Sequence, residues 1–526
     1  MPPTGWDLIV AGAGSAGAAL AARSATAGKR VLLLEAGPDY RSADMPQAWR
    51  SLNPVRALMD PAASEQLVWT GLNAARTEKQ PQALYWRGRG AGGSSSINGE
   101  IAIRPPVEDF EDWVAAGCSG WSPADVLPYF ARLEDDEEYG DEAYHGRGGP
   151  IPIFRMPQEK WGAVDGALCA AALSAGYPWA PDVNAPHAAG VSPYPINARS
   201  GRRVSVNDAY LEPARALATL TIWGDALVDR VVLSGSRAIG VQMLRDGKAL
   251  TAYADEVVLS AGAIHSPAIL MRSGVGPARP LEALGIRVRQ DVPVGQGLQD
   301  HPLILIGIPL ADAAGIQTRD DRHTNVCVRY GSPGGNVPGD MMFVSLNHSA
   351  LAMPGSPATA GARPQHPTGA FGVWVNQTYS RGDLTLTSAD PTAQPEVCER
   401  MLSDERDLSR LRDGVRALAG LARGAEVAAI TRDSVESRNT ALFDVLGDDA
   451  ELEAYLLATA ADAQHATSTC RMGAASDPGT VVDPSCRVLG TDRLRVVDAS
   501  MFPSVPRANT NLTAIMVGEL MADRMS

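Results

Sequence analysis

The sequence has few cysteines, and they are not grouped along the chain. Six cysteines lie far apart and form no C-x-x-C pair: Cys118, Cys169, Cys327, Cys398, Cys470 and Cys486. Closely spaced pairs are typical of zinc sites, and dense cysteine frameworks are typical of small secreted proteins. The spacing therefore predicts reduced thiols in a cytoplasmic protein, with no metal site.

A surplus of positive charge is also missing. The chain has 46 lysines and arginines against 60 aspartates and glutamates, so its formal net charge is −14. Proteins that bind nucleic acids need cationic side chains to neutralise phosphates. We therefore expect no nucleic-acid partner.

Long apolar runs are absent as well. No run approaches the roughly 20 residues of a membrane-spanning helix, and residues 1–10 lead directly into a predicted strand rather than a signal peptide. We expect no membrane partner. With 526 residues, the chain is too long for one simple core, so two structural domains are expected.

Glycine, by contrast, is abundant and patterned. Residues 6–37 carry Gly12, Gly14 and Gly17 in the spacing G-x-G-x-x-G, after an apolar run and within an Ala-rich segment. A second apolar run then leads to Glu35. This order predicts a strand, a helix and a second strand with an acid at its tip.

These residues suit a dinucleotide. Gly12 permits a tight turn, Gly14 lets the main chain approach a pyrophosphate, and Gly17 lets the helix pack on the strand. The phosphates would lie at the positive end of the helix, and Glu35 could hold a ribose hydroxyl. A turn that binds nothing is the alternative, and the pattern leaves NAD, NADP and FAD open.

Further segments predict either loops or strands. A second glycine-rich segment, Tyr85–Pro105, cannot form a regular element, so its main chain is expected to approach a ligand closely. The acidic run Leu133–Glu142 is expected to be a solvated surface loop or lid. Residues 301–464 carry several apolar runs typical of a sheet, broken by a Pro-, Gly- and Ala-rich loop at Met353–Gly369.

Local patterns also predict several helices and strands. Strands joined by a turn are expected within Leu220–Gln242, and a strand, turn and helix within Asp255–Pro277. Helices are expected near Val107–Leu133, Asp404–Leu421, Glu451–Ala461 and Leu512–Arg524.

Four ordered segments resemble signatures of the glucose–methanol–choline (GMC) oxidoreductase family: Arg87–Pro105, Ser260–Gly274, His465–Gly473 and Val497–Asn511. The resemblance covers nearly the whole chain. It implies FAD as cofactor and oxidation of an alcohol. The implied fold is α/β (α+β overall), with a Rossmann-like FAD-binding domain and a second, antiparallel-sheet substrate domain.

The implied FAD domain is discontinuous. It comprises residues 1–155, 198–305 and 465–526, and the substrate domain comprises residues 156–197 and 306–464.

The resemblance also implies which residues meet FAD. They are Gly12, Gly14, Ser15, Ala16 and Gly17 at the pyrophosphate, Glu35 at the adenosine ribose, Gly93, Asn98 and Gly99 along the flavin and pyrophosphate, Val228 at adenine, Asp498 and Ala499 at the ribityl and phosphate region of the flavin, Trp69 as a flavin neighbour, and Ala36 and Thr510 as further cofactor-binding residues. Some members bind flavin covalently through a histidine, but Ile97 occupies that position here. We therefore expect noncovalent FAD.

Hydride removal from an alcohol requires a base for the hydroxyl proton, and neutral histidine suits that task. By resemblance His465 is the base and Asn509 orients the substrate oxygen. Asn509 could instead cap the last helix, a role that Thr510 or Asn511 could also fill. Among the other histidines, His301 is expected to be structural and His265 to pack against the cofactor or a helix. Surface positions are expected for His145, His187, His323, His348 and His366.

Within the family, the layout is most similar to bacterial oxidases of aromatic and heteroaromatic hydroxymethyl groups. Gln464, Gly372 and Trp374 are the expected pocket residues, and Gln464 and Gly372 depart from that pattern. The expected substrate is a primary alcohol and the expected acceptor is O₂. A dehydrogenase that uses a quinone, a hydroxynitrile lyase and a nicotinamide enzyme are the alternatives.

Overall fold

The structure is a computed structural model that describes residues 5–58, 60–318, 320–333, 337–348 and 366–526. Its strands are β1 (Trp6–Ala11), β2 (Val31–Leu34), β3 (Asn73–Ala75), β4 (Ala83–Leu84), β5 (Glu134–Asp136), β6 (Ile151–Arg155), β7 (Gly190–Pro193), β8 (Pro195–Ile196), β9 (Ala198–Arg199), β10 (Arg202–Arg203), β11 (Leu220–Trp223), β12 (Ala226–Ser234), β13 (Arg237–Arg245), β14 (Lys248–Leu259), β15 (Gln296–Leu298), β16 (Pro302–Pro309), β17 (Val326–Tyr330), β18 (Met341–Leu346), β19 (Thr368–Val375), β20 (Gly382–Thr385), β21 (Glu396–Cys398), β22 (Ala461–Asp462) and β23 (Leu494–Val496).

The α-helices of the same residues are α1 (Ser15–Thr26), α2 (Gln47–Arg50), α3 (Pro54–Leu58), α4 (Pro61–Leu67), α5 (Val107–Ala115), α6 (Pro123–Leu133), α7 (Ala163–Ser174), α8 (Glu212–Ala214), α9 (Gly262–Arg272), α10 (Ala278–Ala283), α11 (Glu405–Ala422), α12 (Ala425–Ala428), α13 (Val435–Arg438), α14 (Thr440–Phe443), α15 (Asp449–Thr459) and α16 (Thr510–Arg524). A turn of 3₁₀-helix covers Gly93–Ser96, and another covers Ala499–Met501.

The first sheet is built around β1. Parallel strands follow the order β11–β2–β1–β14, with β23 parallel to β14 on its other side. The long strand β14 also pairs with the antiparallel ribbon of β13 and β12. Helix α1 connects β1 to β2, which confirms the predicted strand–helix–strand unit. Because every residue of β2 and most of β1 are buried, this sheet forms the centre of the larger core.

The second large sheet is antiparallel, with strand order β22–β16–β19–β18–β17–β7. Side chains alternate between its two faces. Ile304 and Val373 pack into a core that also contains buried residues of α7 and α11. Leu303 and Trp374, which pair across β16 and β19, point to the opposite face. The two sheets confirm the predicted mixed fold, while the domain boundaries stay a prediction.

The last helix packs closely on the first. A side chain at Gly518 of α16 would place its Cβ 2.4 Å from the carbonyl oxygen of Ala16 in α1. Ser15 donates a hydrogen bond to Oδ1 of Asn511 over 2.8 Å. Helix α16 is thereby held against the first glycine-rich turn and the start of α1.

Most predicted elements agree with the structure. The region Val107–Leu133 contains α5 and α6, the other predicted helices correspond to α11, α15 and α16, and the predicted hairpin corresponds to β12 and β13. Residues 353–365 of the predicted loop lie outside the described residues, and β19 begins at Thr368. None of the described helices combines the length and apolar character that crossing a membrane requires.

The prediction for the acidic run is wrong in its first half. Glu134 and Asp136 are buried in β5, whereas Glu137, Glu138, Asp141 and Glu142 are exposed. Asp136 accepts hydrogen bonds from Arg155 at 3.0 Å. Pairing with arginines far along the chain compensates the cost of burying the carboxylates.

The surface prediction for His145 is also wrong. Its ring is buried between Glu134 and Asp182, with 2.9 Å from each ring nitrogen to a carboxylate oxygen. Because Arg104 and Arg155 pair with these same acids, the cluster forms an internal salt-bridge network. His187 and His366 are exposed as predicted, and His348 is half-buried.

Candidate active site

A cavity of about 940 Å³ lies at the carboxyl ends of the parallel strands. Its walls include Gly12 after β1, Glu35 after β2, Ser260 after β14 and Asp498 after β23. This edge is where open parallel sheets bind ligands. The antiparallel sheet closes the other end of the cavity, where Trp374 and its neighbours line the wall.

Nearly all of the predicted site residues line this cavity. They are Gly12, Gly14, Ser15, Ala16, Glu35, Ala36, Trp69, Gly93, Asn98, Gly99, Val228, Trp374, Gln464, His465, Asp498, Ala499, Asn509 and Thr510. Gly17 and Gly372 do not line it.

The glycines bring three main-chain segments together. Gly12 has a φ of 110°, and a Cβ there would lie 2.3 Å from the carbonyl oxygen of Ser260. A Cβ on Gly93 would lie 2.7 Å from Cα of Gly14. A Cβ on Gly17 would lie only 2.0 Å from the carbonyl oxygen of Gly12. Gly17 therefore serves helix packing, while Gly12, Gly14 and Gly93 form a cradle for a close ligand.

Glu35 holds the loops at one end of the cavity. One carboxylate oxygen accepts a hydrogen bond from Ala13 N–H at 2.9 Å, and the other accepts from Gly37 at 3.0 Å and Gly90 at 2.9 Å. Burial raises the pKa of Glu35, and these three N–H donors oppose the rise. Glu35 thus fixes the loops and also faces the cavity.

Two helices direct their N-terminal ends at the cavity. Gly14 precedes α1 and Asn509 precedes α16, and neither residue caps its helix through a side-chain hydrogen bond. The first N–H groups of such helices carry a partial positive charge that favours anions. This arrangement suits the pyrophosphate of a dinucleotide at α1.

Asp498 has a structural role beside the cavity. One oxygen accepts from Gly262 N–H at 2.9 Å and from the Ser266 hydroxyl at 2.6 Å. The other accepts from Ser500 N–H at 2.8 Å. Asp498 therefore fixes the start of α9 and of the turn after β23, and so positions the adjoining wall, including Ala499.

Trp69 and His265 form a stacked pair, with ring centroids 4.3 Å apart. Nε2 of His265 lies 3.0 Å from the Gln394 side-chain oxygen. Burial lowers the pKa of His265 to about 4, so the ring is neutral. His265 packs against a predicted flavin neighbour and is not placed at the catalytic pair.

Asn98 is held by Arg203, which donates to its side-chain oxygen at 2.9 Å. The same oxygen accepts from Glu100 N–H at 2.9 Å. Ile97 lines the cavity next to Asn98 and offers only carbon atoms, so no histidine-linked bond to a flavin can form there. The glycine cradle, the helix ends and this wall fit FAD, with His465 at the far end of the cavity.

The predicted catalytic pair is in direct contact. Nδ2 of Asn509 lies 3.1 Å from Nε2 of His465. Asn509 stands at the N-cap position of α16, but its side chain reaches His465 instead of capping the helix. Its side-chain oxygen is buried without a hydrogen-bond partner among the described residues.

The environment of His465 keeps its ring neutral. Burial lowers the pKa of His465 well below 6.5, and the neighbouring His301 and the positive charge of Arg87 add to this effect. The edge of Trp374 faces the imidazole, with 6.1 Å between ring centroids. A neutral imidazole beside an open cavity can accept a proton.

Pocket residues differ in how they meet the cavity. The amide of Gln464 is fully engaged, because its oxygen accepts from Arg87 at 3.0 Å and its nitrogen donates to Asp462. Gly372 lies on the cavity side of β19, but Leu305 and Val344 cover it, with 2.9 Å from each to a Cβ at that position. Of the three, Trp374 presents a ring to the cavity, and its contact with a substrate stays a prediction.

Sequence reasoning missed two groups at this site, His323 and Thr324. His323 was expected at the surface, but it lines the cavity next to Gly99. Thr324 follows it, and its buried hydroxyl has no partner among the described residues. Nδ1 of His301 lies 2.9 Å from Nδ1 of His465. His301 was predicted to be structural, whereas nothing in the sequence near His323 or Thr324 indicated their position.

Comparison with known proteins agrees with this site. Sequence models described as GMC oxidoreductase match residues 6–303 and 378–518. The chain is 36% identical to 5-(hydroxymethyl)furfural oxidase of Methylovorus sp. (strain MP688), covering 99% of each chain. It is 34% identical to mitochondrial choline dehydrogenase of Homo sapiens, covering 98% of this chain and 89% of that one. The structure resembles pyridoxine 4-oxidase from Mesorbium loti, with a TM-score of 0.86, 28% identity and 99% of each chain covered.

Proposed function

The chain belongs to the GMC oxidoreductase family, and on that premise we propose that it oxidises neutral aromatic or heteroaromatic hydroxymethyl alcohols to aldehydes with O₂ as acceptor. Like its relatives, the chain is an FAD-dependent enzyme that acts on CH–OH groups. The observation that carries the proposal is the contact of His465 with Asn509 at the end of the cavity.

Bound FAD would supply the acceptor for the hydride. Nε2 of His465 takes the hydroxyl proton, because the buried ring is neutral and faces the cavity. In the absence of substrate, Nδ2 of Asn509 donates to Nε2 of His465. When the substrate hydroxyl takes that place, Nδ2 donates to the substrate oxygen as negative charge develops there. The N-terminal end of α16 adds a positive partial charge at the same place.

The chemistry of the walls supports a neutral aromatic substrate. Leu303, Leu305 and Val344 line the cavity beside Trp374. A cationic substrate such as choline is bound by an unpaired carboxylate or by a cage of aromatic rings. Asp462, which also lines the cavity, is not such a carboxylate, because it is paired with Arg76 at 2.6 Å. Burial and the charge of Arg322 lower the pKa of His323 well below 6.5. The walls therefore offer apolar surface and neutral polar groups.

Anaerobic flavin reduction tests both residues and substrate. Benzyl alcohol and 5-(hydroxymethyl)furfural should bleach the bound flavin, and choline should not. His465→Ala should retain FAD but lose on the order of 100-fold or more in the reduction rate, the range expected for a general base. Normal reduction in that variant would disprove the assignment. Faster reduction by choline than by the aromatic alcohols would disprove the substrate class.

Reoxidation tests the acceptor. The related protein of Methylovorus sp. is named an oxidase, which supports O₂ as the electron acceptor. The reduced enzyme, mixed with aerated buffer in a stopped-flow instrument, should reoxidise at least as fast as it turns over and release peroxide. Slow reoxidation by air combined with rapid reoxidation by a quinone would establish a dehydrogenase instead.

A further inference from the structure

His465 contacts a second histidine that the reaction above does not use. The Nδ1 atoms of His301 and His465 are 2.9 Å apart, and the two rings meet edge to face. A neutral imidazole carries a hydrogen on only one nitrogen. At this distance one Nδ1 must therefore donate and the other must accept.

Asn509 decides the direction of this hydrogen bond. Its Nδ2 atom can only donate, so Nε2 of His465 at 3.1 Å must be the acceptor. The hydrogen of His465 then resides on Nδ1 and is donated to Nδ1 of His301. His301 must carry its own hydrogen on Nε2. Burial lowers the pKa of His301 to about 4, and the nearby carbonyl groups of Asn376 and Pro506 oppose this shift, although neither forms a hydrogen bond of regular geometry with Nε2.

A single carboxylate fixes the main chains of both histidines. Oδ1 of Asp300 accepts from His301 N–H at 2.7 Å and from His465 N–H at 2.8 Å. Its other oxygen accepts from the Tyr85 hydroxyl at 2.8 Å. Because both backbones are held by one group, the separation of the two rings is set before substrate binds.

We propose that His301 is a positioning residue that holds His465 in the tautomer with an unprotonated Nε2, ready to accept the substrate proton. This inference rests on the proposed function of His465. When the hydroxyl proton moves to Nε2, the Nδ1 hydrogen of His465 stays bonded to the His301 lone pair. A neutral partner stabilises the resulting imidazolium less than a carboxylate would, so the resting base stays unprotonated.

Other groups around His465 do not replace His301. Arg87 is cationic and lowers the pKa of His465, and Asp300 contacts His465 through the main chain. Trp374 presents a ring edge, and Asn509 contacts the ring at Nε2 rather than at Nδ1. Among the described residues, only His301 is placed to accept from Nδ1 of His465.

Substitutions with and without an acceptor test the proposal. His301→Asn places an amide oxygen near Nδ1 and should retain most of kcat/KM. His301→Leu removes the acceptor and should lower kcat/KM on the order of 100-fold while FAD stays bound. His301→Asp should move the acid limb of the pH profile of kcat/KM upward by about one unit or more, because a carboxylate favours the imidazolium. His187→Asn is the control, since its side chain is 74% exposed and remote from the cavity.

Nitrogen-15 NMR of the FAD-loaded enzyme reads the tautomer directly, with the His465 signals identified by their loss in His465→Ala. We expect hydrogen on Nδ1 of His465 in the wild type and a mixture of tautomers in His301→Leu. Hydrogen on Nε2 in the wild type would overturn the proposal, even if His301→Leu failed to fold. Equal losses in His301→Asn and His301→Leu, with unchanged pH profiles in all three variants, would also overturn it. The wild-type tautomer is measurable whether or not His465→Ala abolishes flavin reduction, so the two hypotheses fail separately.

Discussion

At the scale of single residues, three buried carboxyl groups near His465 differ in whether they have hydrogen-bond or ion-pair partners. Asp462 pairs with Arg76, and Asp300 accepts from Tyr85, but neither oxygen of Glu399 has a partner among the described residues. Burial and the neighbouring acids raise the pKa of Glu399 well above 4.5 and that of Asp300 to about 6. Glu399 therefore keeps its proton to higher pH in the folded chain than in the unfolded chain.

Glu399→Gln should flatten the pH dependence of stability. A carboxyl whose pKa is raised by folding binds a proton in the native state that the unfolded chain has released. Wild-type stability should thus fall as pH rises above about 4.5 towards the folded pKa, by up to about 1.4 kcal/mol per pH unit for this group. Tm measured between pH 5 and pH 8 should fall less in the variant. Glu396→Gln, on the exposed part of β21, should follow the wild type.

Prediction from sequence succeeded for residues whose role is local or carried by a motif. His465 and Asn509 were predicted as a pair and lie in contact, while their catalytic roles stay a prediction. His145 and the acidic run were misjudged, because their partners Arg104, Arg155 and Asp182 lie elsewhere in the chain. Sequence alone does not reveal which charges pair across such separations.

At the scale of elements, close approach of main chains determines where side chains can be added. Gly17→Ala would place a Cβ 2.0 Å from the Gly12 oxygen, a backbone atom that cannot move aside cheaply. We expect a lower Tm and a reduced ratio of bound flavin to protein, measured by absorbance after purification. Gly420→Ala in α11 has nothing within 4 Å of the new Cβ and should stabilise by up to about 1 kcal/mol. Full flavin content and unchanged Tm in Gly17→Ala would contradict this role.

The elements themselves were largely predictable, but their arrangement was not. Apolar runs and glycine spacing identify β1, α1 and β2, because each pattern lies within a few residues. The antiparallel sheet joins β7 to β17 and β16 to β19, segments separated by long stretches of chain. Its apolar runs predicted strands, but their order and register depend on contacts that no local pattern contains.

At the scale of the whole molecule, the candidate active site forms where two sheets enclose one cavity. The parallel sheet presents glycine turns and helix ends, and the antiparallel sheet presents Trp374 and the strand before His465. His465 and His301 are 164 positions apart in the chain. Their contact arises from this closure, which also removes His465 from solvent.

The enclosure of His465 predicts the pH below which kcat/KM declines. Because burial lowers the pKa of His465 well below 6.5, the base remains unprotonated as pH falls through that value. The kcat/KM for an aromatic alcohol should therefore stay level from about pH 8 to pH 6.5 and decline only at lower pH. Arg87→Gln removes a cation that helps to lower the pKa of His465, so the acid limb of this variant should move to higher pH. Initial rates with peroxide detection across this pH range measure the acid limb of the wild type and that of Arg87→Gln. A wild-type acid limb centred at pH 6.5 or above would show that the cavity does not desolvate His465.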